Sequence, residues 1–190
     1  MSLPLSEPLT KVVAISGASG AGKTTLVKHL AKRFNCPFLL FDDYVDEHTY
    51  PINMKQWLHL GADVSLIKTP ALATSIAKLV RSTRSRFIFI EEPFGRERRS
   101  ISTLIDYVIL LDQPMALCLA RIIQRHVKSP STKIPDSLAQ FLKNYEDHFK
   151  AIYITTVNQV RKNSDLIYNN ISPVDILAND ISQWLEIHSK

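Results

Sequence analysis

Two glycines, a lysine and a threonine stand at a spacing that suits phosphate binding. Gly17, Gly22, Lys23 and Thr24 fit the pattern G-x-x-x-x-G-K-[ST]. In such a loop the backbone N–H groups turn inward on a phosphate chain, and the helix that follows adds partial positive charge at its N-terminus. The lysine would reach the β- and γ-phosphates, and the threonine hydroxyl would ligate Mg²⁺. We call residues 17–25 the phosphate loop and expect it to bind ATP.

All nine residues of the phosphate loop are candidate nucleotide ligands: Gly17, Ala18, Ser19, Gly20, Ala21, Gly22, Lys23, Thr24 and Thr25. The chemistry that this loop serves is phosphoryl transfer, which needs positioning and charge stabilisation more than covalent help from the protein. The remaining candidates are therefore carboxylates and cations that could reach the phosphates or a phosphate acceptor.

Two adjacent acids, Asp42 and Asp43, follow the apolar run 37–41. A hydroxyl that attacks a phosphoryl group needs a carboxylate to orient it and to take its proton. We assign this catalytic role to Asp42. Neighbouring side chains alternate in direction, so only one of the two faces the site, and Asp43 stays open as the alternative base. The competing interpretation is that both acids only cap the segment that follows.

Three further charged side chains could neutralise the charge of the phosphates, either directly or by binding Mg²⁺. Glu91 lies near the end of the apolar run 86–92, where it could bind Mg²⁺ together with the threonine hydroxyl. Arg121 and Arg125 stand four residues apart on one face of an expected helix. They precede a polar stretch, and we expect residues 121–137 to form a short lid whose arginines neutralise the transferring group. The alternative for Glu91 is that it belongs to a solvated pair of acids at the end of a strand. The alternative for Arg121 and Arg125 is that they form an ordinary solvated basic face.

The segment 44–68 is aromatic and polar, and we expect it to hold the acceptor. Tyr44, Tyr50 and Trp57 could stack on a ring of the substrate, although aromatic side chains in loops also pack on the core. Arg96 could meet an anionic group, or it could be solvated like most members of a charge run. With Asp43, these side chains form our candidate substrate site.

The elements that must position these residues alternate along the chain. Solid apolar strands between amphipathic helices imply a parallel sheet with helices on both faces. Such a sheet binds ligands at the carboxyl ends of its strands. The sequence thus predicts an α/β fold with a parallel five-stranded sheet in one domain, residues 1–190. The expected strands are 11–16, 37–41, 86–92, 107–112 and 165–168, and the expected helices are 24–34, 69–79, 114–126, 138–160 and one that starts at 172.

Composition narrows the functional classes. A net charge of +5 suits a polyanionic ligand but is too small to argue for nucleic acid, which we consider an improbable partner. Cys36 and Cys118 lack metal-ligand or redox spacing, so we expect free buried thiols. The N-terminus has prolines and a glutamate instead of a secretory signal, and no apolar run approaches the length of a membrane span. We expect a cytoplasmic protein without a membrane segment.

Four segments together resemble the uridine kinase and nicotinamide riboside kinase group of P-loop kinases: GASGAGKTT, FDDY, IEE and LARIIQR. The resemblance covers most of the chain in order, and residues 57–72 are similar to the acceptor-side region of these kinases. It implies a three-layer sandwich like that of a nucleoside kinase. It also implies that Asp42 is the base, that Glu91 is the Mg²⁺-associated acid, and that Arg121 and Arg125 belong to the lid.

The same resemblance implies that the turn 169–173 lies near the adenine. The chain departs from the group where a glycine commonly follows the strand-end glutamate, because Glu92 and Pro93 stand there. This departure concerns the acceptor side and leaves the phosphate loop unaffected.

The sequence predicts an enzyme that moves the γ-phosphoryl group of Mg·ATP to a hydroxyl of a small molecule. The acceptor we expect is a nucleoside or a nucleoside-like riboside, and the protein would act as a monomer or homodimer. Three alternatives stay open. One is a nucleotide-binding regulatory module or slow ATPase that acts through a protein partner. Another is a kinase for nucleic-acid ends that uses the arginines at 96–99. The third is a kinase for another small molecule such as a sugar.

Overall fold

The computed structural model describes residues 10–128 and 134–189 and contains one five-stranded parallel sheet. The strands lie in the order β2-β3-β1-β4-β5, and every pair is parallel. Their bounds are β1 Lys11–Ser16, β2 Phe38–Leu39, β3 Phe87–Glu91, β4 Tyr107–Leu111 and β5 Leu166–Tyr168. The α/β fold with five parallel strands is therefore confirmed.

The central strand β1 pairs with β3 on one side and with β4 on the other. The chain leaves β1 towards β2, whereas it leaves β3 towards β4, so the two connections run to opposite sides. A crevice opens where such connections diverge, beyond the carboxyl ends of the strands. In the register, Ile15 lies opposite Glu91. The residues that follow β1 and β3 therefore meet at this crevice.

Helices flank the sheet, and α1 packs against both α8 and β3. The apolar side chains of β1, β3 and β4 are almost all fully buried, as expected for central strands of a covered parallel sheet. The helices are α1 Lys23–Phe34, α2 Met54–His59, α3 Pro70–Ser82, α4 Arg99–Ser102, α5 Met115–Val127, α6 Ile134–Asn144, α7 Lys150–Arg161 and α8 Val174–His188.

The second strand is shorter and more exposed than expected. We predicted residues 37–41 as a strand buried on both faces, but β2 has two residues and Phe38 is 41% exposed. It lies at the edge of the sheet and pairs only with β3. The chain then turns into a 3₁₀ helix, Phe41–Tyr44, which contains both acids. Asp42 thus sits on a tight turn and not at a strand tip.

The long helix expected over 138–160 contains a π-helical turn. The π turn, Tyr145–Phe149, joins α6 directly to α7. A π turn holds one more residue than an α-helical turn, and such turns are frequent at functional sites. Four aromatic rings follow one another along this helix: those of Phe141, Tyr145, Phe149 and Tyr153.

Two expected helix ends behave differently. Asn35 ends α1 in the left-handed conformation, which asparagine tolerates. We expected Ser172 to cap the last helix, but α8 follows Pro173, and Ser172 instead accepts a hydrogen bond from the phenol of Tyr168.

Both cysteines are free thiols; Cys118 is buried and Cys36 is half-buried. Burial raises the pKa of the Cys36 thiol to about 11. Among the described residues, no helix combines the length and the apolar character that a membrane crossing requires.

Candidate active site

The phosphate loop follows β1 and is packed tightly between neighbouring elements. A Cβ added to Gly17 would lie 2.6 Å from the carbonyl oxygen of Leu111 in β4, and one added to Gly20 would lie 2.3 Å from that of Cys118 in α5. Gly22 precedes α1 in the left-handed conformation, and without a side chain it cannot cap the helix. The first N–H groups of α1 are thus open to a ligand, as an anion site requires.

Lys23, Thr24 and Glu91 form one cluster, in which Lys23 and Glu91 are buried and Thr24 is half-buried. The hydroxyl of Thr24 donates to Oε2 of Glu91 at 2.7 Å, and Nζ of Lys23 lies 3.5 Å from Oε1 of the same carboxylate. Lys23 also donates to the carbonyl oxygen of Ala18 at 3.0 Å. Burial lowers the pKa of Lys23 below its ordinary value, and the charges of Glu91 and Asp42 oppose this shift. Glu91 is thus buried and hydrogen-bonded rather than solvated.

A cavity of about 1010 Å³ opens in front of this cluster. Eight residues of the phosphate loop line it; the ninth, Ala21, is buried against the loop's own backbone. Asp42 also lines the cavity, so the cluster and the proposed base face the same space.

Helix α5 brings two cations to the cavity. Arg121 donates to the carbonyl oxygens of Gly20 and Ala21, at 3.4 and 3.2 Å, and so contacts the phosphate loop directly. Arg125 lies one turn further along the same face and lines the cavity. The expected lid, 121–137, includes 129–133, which lie outside the described residues. A helix begins at Ile134, inside this range.

The acceptor-side segment contributes two of its predicted aromatic residues. Trp57 is buried in the cavity wall, and its indole N–H donates to the carbonyl oxygen of Asp63 at 2.9 Å. Tyr50 lines the cavity although it is 40% exposed. Burial, assisted by the negative charge of Asp42, raises the pKa of Tyr50 to about 12.

Three other substrate candidates lie outside the cavity lining: Asp43, Tyr44 and Arg96. The guanidinium of Arg96 donates to the carbonyl oxygens of Ile105 and Asn163 and pairs with Asp165 at 2.8 Å. These contacts hold the segment after β3 against the starts of β4 and β5. The structure therefore brings Tyr50 and Trp57 to the site but not these three.

Sequence reasoning missed the wall that α7 and the π turn provide. Four of their residues line the cavity: Phe149, Ile152, Tyr153 and Thr156. Burial raises the pKa of the Tyr153 phenol, and the neighbouring Ser19 of the phosphate loop opposes part of this shift. Their helical spacing was visible in the sequence, but it indicated only a buried face and not what that face covers. The lining is completed by Gln124 of α5, Lys128 directly after α5, Phe41, Met54, Ile67, Pro93 and Phe94.

No family model matches the sequence, and no curated protein matches it. Solved structures do resemble its fold. A sugar kinase from Janibacter sp. HTCC2649, solved without ligand, is 18% identical with a TM-score of 0.59, covering 95% of this chain and 96% of its own. Thermus thermophilus TT1252 is 15% identical with a TM-score of 0.55, and the match covers 95% of this chain and 99% of TT1252. Shikimate kinase from Acinetobacter baumannii, in complex with shikimate, is 17% identical with a TM-score of 0.49, covering 96% and 97%. At these identities the likeness concerns architecture alone, and the chain shares the fold of the sugar kinase and of TT1252.

Proposed function

We propose that the protein is a kinase that transfers the γ-phosphoryl group of ATP to a hydroxyl of a small molecule, foremost a nucleoside or nucleoside-like riboside. One observation carries this proposal. The cluster of Lys23, Thr24 and Glu91 lines the same cavity as the carboxylate of Asp42. One side of the cavity suits a triphosphate, and the other offers a base to an acceptor hydroxyl.

In the proposed reaction, the acceptor oxygen forms a bond to the γ-phosphorus, and the bond between that phosphorus and the β–γ bridging oxygen breaks. The acceptor proton passes to Asp42, and ADP leaves. Lys23 and the open N–H groups of α1 hold the phosphates, while Arg125 neutralises charge on the transferring group. Arg121, bonded to the loop backbone, keeps the loop in shape.

The residues present also fit Mg²⁺. This ion prefers oxygen ligands and commonly binds through one or two protein oxygens together with phosphates. Thr24 Oγ1 and the Glu91 carboxylate are already adjacent beside the phosphate loop. These two residues would hold the ion, directly or through water, and the bound ion would neutralise negative charge on the phosphates.

Charge and shape at the acceptor end favour an uncharged, ring-bearing acceptor. Among the described lining residues the cations belong to the phosphate loop, to α5 and to Lys128 directly after it, whereas the rest of the lining beyond Glu91 and Asp42 is mostly aromatic and aliphatic. An anionic acceptor would meet a like charge and an apolar wall, which is costly. Flat rings pack well on such walls. The side chains concerned are Phe41, Tyr50, Met54, Trp57, Ile67, Phe94, Phe149, Ile152 and Tyr153.

ADP release with Mg·ATP across a panel of acceptors tests the proposal. The panel contains uridine, cytidine, nicotinamide riboside, thiamine-like alcohols and simple sugars, with shikimate and a nucleoside monophosphate as anionic members. An acceptor-free reaction and the Lys23→Ala variant are the controls. Stimulation by one riboside, lost in Lys23→Ala, supports the full proposal.

Other outcomes narrow the proposal or contradict it. Stimulation by a sugar alone would keep the kinase and reject the riboside. Equal, slow release with every acceptor would contradict the kinase assignment, and a search for protein partners would then follow.

A further inference from the structure

Glu92 and Arg98 form a fully buried ion pair behind the aromatic and aliphatic cavity side chains listed above, which we call the acceptor wall. Arg98 donates from Nε to Oε1 of Glu92 at 3.0 Å and from Nη2 to Oε2 at 2.5 Å, and both side chains are 0% exposed. The pair is bidentate, the geometry in which arginine binds a carboxylate most strongly. Neither residue lines the cavity, so the pair acts on the site only through its neighbours.

Glu92 connects this pair to the phosphate side. The hydroxyl of Ser16 donates to the carbonyl oxygen of Glu92 at 2.6 Å, and the N–H of Glu92 donates to the carbonyl oxygen of Ile15 at 3.1 Å. Ser16 directly precedes Gly17 of the phosphate loop, and Glu92 directly follows Glu91 of the cluster. A displacement of Glu92 would therefore move both parts of the phosphate site.

Arg98 connects the same pair to the acceptor side. Its Nη1 donates to Thr69 Oγ1 at 2.7 Å and to the carbonyl oxygen of Ile67 at 3.2 Å. Its guanidinium lies over the ring of Phe41, 5.2 Å from the ring centre. Ile67 and Phe41 line the cavity, and Phe41 is the residue before Asp42. One guanidinium thus touches the acceptor wall and the turn that carries the proposed base.

We propose that Arg98 and Glu92 are positioning residues that fix the proposed base, Asp42, and the acceptor wall relative to the phosphate loop. This inference rests on the proposed function, because it assigns the pair a role in phosphoryl transfer. Burying a pair of charges is costly, and an apolar replacement of similar volume is often no less stable. Precise placement of the reacting groups is a benefit that stability alone does not provide, and a misplacement of about 1 Å can cost about 100-fold in rate.

Two conservative variants test the pair, and a second ion pair provides matched controls. Arg98→Lys keeps the charge but loses the planar fork, and Glu92→Gln keeps the shape but loses the charge. Arg161 forms a partly exposed bidentate pair with Asp112, at 2.7–3.1 Å, and neither residue lines the cavity. Arg161→Lys and Asp112→Asn are therefore the controls. Each variant is assayed well below its own Tm for kcat, for acceptor KM and for nucleotide Kd without acceptor.

We expect Arg98→Lys and Glu92→Gln each to lower kcat by about tenfold or more and to raise acceptor KM, with nucleotide Kd within about twofold of wild type. The controls should change kcat and KM by less than about twofold. If Arg98→Lys does not fold, Glu92→Gln decides. A loss of kcat no greater than that of the controls would overturn the proposal, since the pair would then act only in stability.

A structural measurement separates this proposal from the kinase assignment. The chain has two tryptophans, so Trp184→Phe leaves Trp57 of the acceptor wall as the only one. In this background we expect Arg98→Lys, but not Arg161→Lys, to shift the Trp57 emission. If no acceptor is phosphorylated by wild type, the proposed function fails, and the emission still tests the pair. Identical emission in the two variants would reject the positioning role.

Discussion

Asp42 and Asp43 are adjacent exposed acids on one 3₁₀ turn, and only Asp42 lines the cavity. We expect Asp42→Asn to lower kcat by about 100- to 10,000-fold, the usual contribution of a general base, while nucleotide Kd stays within about twofold. Asp43→Asn should remain within a few-fold of wild type. Steady-state kinetics and calorimetric titration measure both. Equal losses in the two variants would show that the turn as a whole matters and not one carboxylate.

Gly20 and Gly61 share a backbone conformation but not an environment. Their φ angles are +81° and +98°, yet a Cβ on Gly20 would meet the Cys118 carbonyl oxygen, whereas nothing lies within 4 Å of one on Gly61. Gly61→Ala should therefore cost only the backbone strain, about 1–2 kcal/mol in urea unfolding. Gly20→Ala should cost more and abolish nucleotide binding. If Gly20→Ala still bound nucleotide tightly, α5 would have to move away from the phosphate loop to make room for the added methyl group.

Residue types in the sequence predicted the part of the cavity lining that the loop 17–25 forms better than the part formed by the segment 44–68. The phosphate loop depends on local spacing, so Lys23 and Thr24 could be recognised directly. Tyr153 and Arg98 could not, because their roles depend on contacts between distant segments. Arg98 stands in a charge run that we expected to be solvated or to meet an anion, but it is 0% exposed and bonded to Glu92.

Among the secondary-structure elements, the π turn within the long helix has a testable effect. It allows Phe141 of α6 and Tyr153 of α7 to pack into one aromatic row with Tyr145 and Phe149. Deletion of the exposed Glu146 should restore a regular α-helical turn, which keeps the phase of α6 relative to α7 but displaces the residues of the turn itself, including Phe149 of the cavity lining. We expect acceptor KM to rise while helical circular dichroism is unchanged. Glu146→Ala is the control, and a similar KM in both would contradict a role for the turn.

Element positions followed from apolar periodicity, whereas their ends depended on tertiary contacts. The strands around Val13, Phe89 and Ile109 are solid apolar runs and were predicted to within a residue or so. The run 37–41 looked equally apolar, but its place at the sheet edge left it one neighbour and two paired residues. Thr69 stands at the predicted start of α3, yet its hydroxyl binds Arg98 and not the helix.

The strand order of the whole molecule was not predicted from the sequence. Nothing in β3 itself indicates that it lies between β2 and β1, since the order is set by the packing of helices between strands. The order nevertheless matters for function, because it opens the crevice beside β1 in which the phosphate loop lies.

Nucleotide binding should stabilise the molecule as a whole. A non-hydrolysable ATP analogue with Mg²⁺ at 100 times its Kd adds about 2.7 kcal/mol to the free energy of unfolding. For a chain of this length this corresponds to an increase in Tm of about 5–10 °C. Thermal melts with and without the analogue measure it. The Lys23→Ala variant should show almost no increase, and an equal increase there would mean that the analogue binds elsewhere.

The burial of Lys23 also has a calorimetric consequence. Its pKa is already below the ordinary 10.5 in the free protein because the ammonium is buried. A bound triphosphate would raise the pKa of this group by adding opposite charge. At a pH between the pKa of Lys23 in the free protein and its pKa in the complex, Lys23 is neutral in the free protein and protonated in the complex. Binding should therefore take up protons, and affinity should fall as the pH rises through this window. The enthalpy of titration would then vary with the ionisation enthalpy of the buffer, and an enthalpy that is the same in every buffer would contradict this expectation.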